Sequence, residues 1–290
     1  MLRHWDRAIL TFQSRMCKVN EEKGFTHRMP FPEAHREVYQ RNPLAEVVAQ
    51  LRFAPIVRTE AEPPGGFQDA IRENYPMYRA SAAVPFGMPQ PVQRMMQELG
   101  APDGLRQYTF GSNDRNWEVI LTRESLVLKT KAYAQWQDFE ARLRQVRAGF
   151  ERAYQPVSSY TSLNLRYVDI IQRSRLGLEN QPWSALLTPG IAGELSSPEI
   201  GADIDKMTSR LHCRVDEHGS FVTLSTGLIL AKDGSRESSF LIDSDFHTHT
   251  ETAIPNVDTT FQRFNKHARN LFQWAIQRRL REALQPVVIA

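Results

Sequence analysis

The densest run of groups able to do chemistry is DSDFHTHTE, residues 243–251, where Asp243, Asp245, His247, His249 and Glu251 fall at every second position. Successive side chains of a β-strand point to opposite faces, so on a strand these groups would share one face at intervals of ~6.5 to 7 Å, with Phe240, Ile242 and Phe246 on the other. Carboxylate and imidazole are ligands that Mn²⁺, Fe²⁺ or Zn²⁺ accepts, and His-x-His on a strand supplies a usable pair. Asp243, Asp245, His247 and His249 are therefore a candidate set for one divalent metal ion, the cofactor of a metal-dependent hydrolase or nuclease. The same alternation also marks the hydrated face of any half-buried antiparallel strand. No HExxH, HD pair or third ligand at a telling spacing separates these readings, and His212, His218 or His267 would complete a site only if the fold brings it there.

Basic residues form the second candidate. Arg142, Arg144, Arg147 and Arg152 lie in one helical stretch, and Arg263, Lys266, Arg269, Arg278, Arg279 and Arg281 in another, a nucleic-acid or partner-binding surface if they converge. Asp138, Glu140, Glu151 and Glu282 dilute that pattern, as on plain solvated helix faces. In NLRYVDII, residues 164–171, Arg166, Tyr167 and Asp169 stand out, because a charge inside an apolar strand is either exposed or paired in the core. An acid such as Glu46 is a candidate partner for Arg166, with a ligand-binding arginine as the alternative. Trp117, Trp136, Trp183 and Trp274 are expected in the core, or, near a cleft, stacked on a base.

Several classes lose ground. The sequence has no GxxxxGK[ST], no GxGxxG after a strand and no GxSxG, which removes the signatures of common nucleotide-dependent and acyl-transfer sites. Its two cysteines, Cys17 and Cys213, have no CxxC or Cys/His spacing, so neither a disulfide framework nor a structural zinc site is implied. No apolar stretch reaches the ~18 residues a membrane span needs, and the opening residues lack a cleavable-leader pattern, so a cytoplasmic protein is expected. The net charge of +3 permits acidic partners without demanding them.

The elements that would position these groups follow from periodicity. Residues 1–40 read as an extension, with a helix over Trp5–Met16 followed by a polar, Gly- and Pro-broken stretch. In the half spanning 41–156, NPLAEVVAQLRF alternates as a strand and FQDAIRENYPMY reads as a helix from Phe67 to Tyr75. A Pro-, Gly- and Met-rich loop then covers 84–104. Strands over 107–111, 117–122 and 126–133 form a meander, and a helix with Trp136, Phe139, Leu143, Val146 and Phe150 on one side closes the half. The half spanning 157–290 repeats the order: a strand over 162–172, an irregular segment over 180–205, strands over 207–216, 220–231 and 238–250, and a long helix over 257–284. The expected fold is α+β, an antiparallel sheet from two pseudo-repeated β-α-β-β-β-α halves with long helices packed on one face.

The segments NPLAEVVAQLRF (42–53), GFQDAIRENYP (66–76), WEVILTRESLVLKTKAYAQWQDFE (117–140) and NLRYVDII (164–171) resemble, in this order, a sporadically distributed family of uncharacterised bacterial proteins. The resemblance covers about Asn42 to Ile171, loosely extended to Leu284; the segment before Tyr39 departs from it. It implies no reaction and no catalytic residue. It implies a setting among mobile and defence-type loci, hence a non-enzymatic binding or regulatory subunit of a toxin–antitoxin-like or anti-phage system. Such a subunit would contact a protein encoded nearby, and nucleic acid through the arginine-bearing helices. The alternative is the metal-dependent hydrolase described above, and a third is a sheet-lined pocket for a small molecule between the halves.

Overall fold

A computed structural model describes residues 30–82, 106–155, 157–230 and 237–289. The expected helix over Trp5–Met16 and the loop over 84–104 lie outside them. From Phe31 onward the chain forms one compact unit. Its strands are β1 (Glu37–Tyr39), β2 (Leu44–Arg52), β3 (Met77–Ala82), β4 (Arg106–Gly111), β5 (Trp117–Leu121), β6 (Ser125–Thr130), β7 (Ser159–Tyr160), β8 (Ser162–Ile171), β9 (Thr208–Arg214), β10 (Ser220–Leu230), β11 (Ser238–Thr248), β12 (Thr252–Ala253) and β13 (Pro286–Val288). The helices used below are α1 (Gly65–Ile71), α2 (Trp136–Ala153), α3 (Val257–Ala275) and α4 (Arg278–Ala283).

Nine strands make one antiparallel sheet in the order β3-β4-β5-β6-β2-β8-β11-β10-β9, so the fold is α+β. In each half the opening strand lies beside the last strand of its meander, β2 beside β6 and β8 beside β11, and β2 and β8 pair with each other at the centre. The order read outward from that pair is the same on both sides, except for the additional edge strand β3.

Alternation decides the two faces. In β8 the burial alternates strictly, with Leu163, Leu165, Tyr167, Asp169 and Ile171 inward and Asn164, Arg166, Val168 and Ile170 half-exposed. Both long helices cover the inward face: Phe139 of α2 packs on Trp117 with ring centroids 5.8 Å apart, and Phe264 of α3 on Phe246 at 6.5 Å. Their apolar stripes are Trp136, Phe139, Leu143, Val146 and Phe150 in α2, and Val257, Phe261, Phe264, Ala268 and Leu271 in α3. Burying large aromatic side chains at roughly 25 cal/mol per Å² makes this face the main store of stability. Trp117, Trp136 and Trp183 are buried, and Trp274 packs on Phe31.

The structure corrects several element expectations. The C-terminal helix is two, because extended Ile276 bridges to Leu187 and the Gln277 side-chain amide donates to the Ser184 and Leu187 carbonyls, each at 2.7 Å. The irregular segment between β8 and β9 thus captures the chain where helical periodicity alone would run on. Helix α1 stops at Ile71, four residues short of the expected Tyr75. The extension does not reach residue 40: Phe31 is buried, and β1 pairs with β13, so the strand near the start is closed by the one at the end. Three-residue strands carry too little periodicity to be read from sequence.

Candidate metal centre on the open sheet face

The face opposite the helices carries the polar groups of β11, and the strand register places their neighbours. Asp243, Asp245 and His247 of β11 lie opposite Ser225, Thr223 and Phe221 of β10, which lie in turn opposite Arg210, His212 and Arg214 of β9. On the other side, Asp243, Asp245 and His247 face Val168, Arg166 and Asn164 of β8. One half-open surface therefore carries histidines toward the β9 edge and an acid–arginine pair toward the centre.

The proposed four-residue ligand set does not assemble as such. The Arg166 guanidinium grips Asp243 as a fork, Nε to Oδ1 at 2.7 Å and Nη2 to Oδ2 at 2.6 Å, so this carboxylate already has its cation. Arg166 thus pairs with Asp243 and not with Glu46, which is within electrostatic reach only. Asp245 accepts two long bonds from the Asn164 side-chain amide at 3.3 and 3.4 Å. Burial raises its pKa, against the lowering effects of Asn164, His247 and Arg166. Glu251 accepts from Ser159 and takes no part.

What does assemble is a group of imidazoles. Ligand nitrogens of His212, His247 and His249 all lie within 4.8 Å of one another, the one such group among the described residues. Ring centroids are 5.4 Å apart for His212 and His247 and 4.9 Å for His247 and His249, with Phe221 packed 4.5 Å from His249 and 5.2 Å from His212. The Nδ1 of His247 lies 3.0 Å from the Asp245 carbonyl and that of His212 3.3 Å from the Thr223 hydroxyl, which leaves both Nε2 atoms for a ligand. Orienting one ring nitrogen with a hydrogen bond while the other ligates is how imidazole metal sites are tuned. Burial, then the neighbouring His247, lowers the pKa of both His212 and His249, which favours the neutral form a metal requires. Of the remaining histidines, His218 lies 3.9 Å from Glu217 and His267 is buried against Asp216 at 3.3 Å; neither reaches the group.

His212 carries no signal in its own neighbourhood. It is placed by the register of two hairpins, and only the turns DEHGS and KDGS in the sequence hint at that register.

The basic residues of the helices are mostly engaged. Arg144 Nε and Arg147 Nη2 reach opposite oxygens of Asp258 at 3.2 and 2.9 Å, tying α2 to the start of α3. Arg142 stacks over Trp117 at 4.5 Å, Arg263 pairs with Asp216 at 3.0 Å, Lys266 with Glu33 at 2.8 Å, Arg278 with Glu282 at 2.6 Å, and Arg281 with Glu37. Arg269 makes no ion pair among the described residues. Arg144, Arg147, Arg263, Lys266 and Arg281 thus tie their helices to other elements, whereas Arg278 pairs within α4.

No protein-family model matches the chain, and no curated protein matches it in sequence. The family resemblance accordingly stands on the quoted segments alone. No described helix is long and apolar enough to cross a membrane.

Proposed function

We propose that the chain binds one divalent transition-metal ion through His212, His247 and His249 and acts as a metal-dependent hydrolase on an anionic substrate. The observation that carries this reading is the convergence of three imidazoles, His212 on β9, His247 on β11 and His249 just past its end, with their nitrogens inside 4.8 Å. Three protein ligands on an open surface leave a coordination position for water, and a metal there supplies Lewis acidity and a nucleophile near neutral pH. Arg210 and Arg214 flank His212 two residues away on either side along β9, where alternation puts them on the same face as substrate-anion contacts. Asp245, beside His247 and with a raised pKa, is the group to accept or return a proton.

The test is calorimetric titration of chelator-treated protein with Zn²⁺ and Co²⁺, together with the Co²⁺ absorption spectrum. One equivalent is expected to bind, and His212→Ala is expected to weaken it by about 100-fold or more. Metal-loaded protein is then assayed on p-nitrophenyl phosphate and its diester; binding without turnover would keep the metal site and remove the hydrolase. Affinity that ignores His212→Ala would remove both.

A second reading, a binding or regulatory subunit with a neighbour-encoded protein partner, is supported by edge strand β9, which is exposed along nearly its whole length. An open edge accepts an added strand from a partner. Contact with nucleic acid and a role in a defence system belong to this reading, as does a cytoplasmic location; the ion pairing of the helix arginines weighs against the nucleic-acid part. Pull-down of genomic-neighbour proteins tests it, and a monomer that ignores every neighbour would count against it.

A further inference from the structure

A cavity of about 140 Å³ lies on the helix side of the sheet, where the two halves meet. Tyr167 and Asp169 of β8 line it, with Trp136 at the start of α2, Arg269 and Phe272 of α3, and Tyr39 from the β1/β13 ribbon. Two of these groups are unanswered. Asp169 is 7% exposed, and no hydrogen bond from the described residues reaches its carboxyl. The Nε of Arg269 is buried without a partner, and no ion pair among the described residues engages its guanidinium. Both line the same cavity, yet they do not pair with each other.

A buried carboxyl without a donor and a buried guanidinium Nε without an acceptor are each costly, and the cost of both falls when a ligand brings the complementary groups. We propose that this cavity binds a small amino acid with an apolar side chain, its ammonium group at Asp169 and its carboxylate at Arg269. A plain amine would leave Arg269 unanswered and face its charge; a plain acid would bring no cation to Asp169. Guanidinium suits a carboxylate because it can offer two parallel N–H groups. Tyr39, Trp136 and Phe272 give the side chain an apolar surround and the ammonium aromatic faces. The cavity of about 140 Å³ is comparable with the ~150 Å³ that takes up a benzene-sized molecule, which suits an apolar side chain of about that size.

The site has a proton signature. Burial, then the charge of Asp243, raises Asp169 to about 8, so its carboxyl is protonated at neutral pH. Its other titratable surroundings are Tyr167 on its own strand, Tyr133 before α2, Arg269 on α3, and Arg36, Glu37 and Tyr39 on the ribbon, with Glu37 already held by Arg281. Docking of an ammonium requires Asp169 to ionise, and one proton leaves to solvent. Affinity is therefore expected to rise about tenfold per pH unit from about pH 6 to about pH 8 and then level off.

The experiment is isothermal titration of the full chain with leucine, valine and phenylalanine, and with the two halves of leucine's polar head removed in turn, 3-methylbutylamine and 4-methylpentanoate. An apolar amino acid is expected to bind with release of one proton near neutral pH, measured in two buffers of different ionisation enthalpy, and each truncated compound to bind at least about tenfold more weakly. Asp169→Asn should abolish the pH dependence, and Arg269→Gln, at a half-exposed position, should erase the preference for leucine over 3-methylbutylamine. Equal binding of the amine or the acid alone, no binding by any of the amino acids, or affinity unchanged in Arg269→Gln would overturn the proposal. His212→Ala, on the opposite face, should leave amino-acid binding intact, which separates this site from the metal centre.

Discussion

Replacing Asp169 by Asn should stabilise the ligand-free protein at neutral pH and do nothing in acid. The carboxyl lies on the inward face of β8 without a hydrogen-bond donor among the described residues, and burial, with Asp243 behind it, raises its pKa to about 8. An unfolded aspartate titrates near ~3.9. Below that value both states are protonated and the group adds no pH-dependent cost. As pH rises, the unfolded chain releases the proton while the folded chain keeps it, so stability falls by ~1.4 kcal/mol per unit until the folded group ionises near its own pKa. By pH 7 the loss is on the order of 4 kcal/mol. Asn keeps the shape and has no proton to lose, so the variant escapes that loss. At about 2 °C per kcal/mol for a chain of this size, its melting temperature should exceed that of the wild type by roughly 8 °C at neutral pH. The two should converge toward about pH 4. Urea titrations at matched pH give the same comparison as free energies. Melting curves that run parallel from about pH 4 to about pH 8 would show that Asp169 titrates normally, and the reasoning would fail.

Other outcomes follow from local geometry. Asp216 holds the turn between β9 and β10 to α3, accepting from the Ser220 N–H at 2.9 Å and pairing with Arg263 at 3.0 Å and His267 at 3.3 Å; Asp216→Ala should cost about 3 kcal/mol in urea unfolding, and an unchanged midpoint would refute the buried-pair account. Because these donors hold the Asp216 pKa below its ordinary value, against the effect of burial, its contribution is present above about pH 4 and lost as pH falls further, which acid titration of the wild type against Asp216→Asn will show. A Cβ at Gly227 would stand 2.1 Å from the Met207 carbonyl, so Gly227→Ala should loosen the start of β9, read as faster amide exchange in β9 and β10, while unaltered protection would argue that the backbone yields freely. Metal affinity should fall as acid protonates His212 and His249, and only below the ordinary imidazole range because burial lowers both; a pH-independent affinity would place the metal elsewhere.

Period-two and helical spacing made the sheet, its long helices and the inward and outward faces legible in the sequence, because burial on one side of an element writes itself into residues two, three or four apart. The run from Asp243 to His249 was visible for the same reason, and Arg166 and Asp169 stood out as charges within an apolar strand. What spacing along one segment does not contain is the register between segments. That register gave Arg166 to Asp243, brought His212 from β9 to His247 and His249, and set the Asp258 carboxylate between Arg144 and Arg147. It also joined β1 to β13 across almost the whole described length and left Asp169 in a cavity with no partner among the described residues. Local sequence determines which side of a strand a group occupies; only the packing of distant strands and helices decides whether a charge meets its opposite, a set of imidazoles converges, or a carboxyl is left waiting for a ligand.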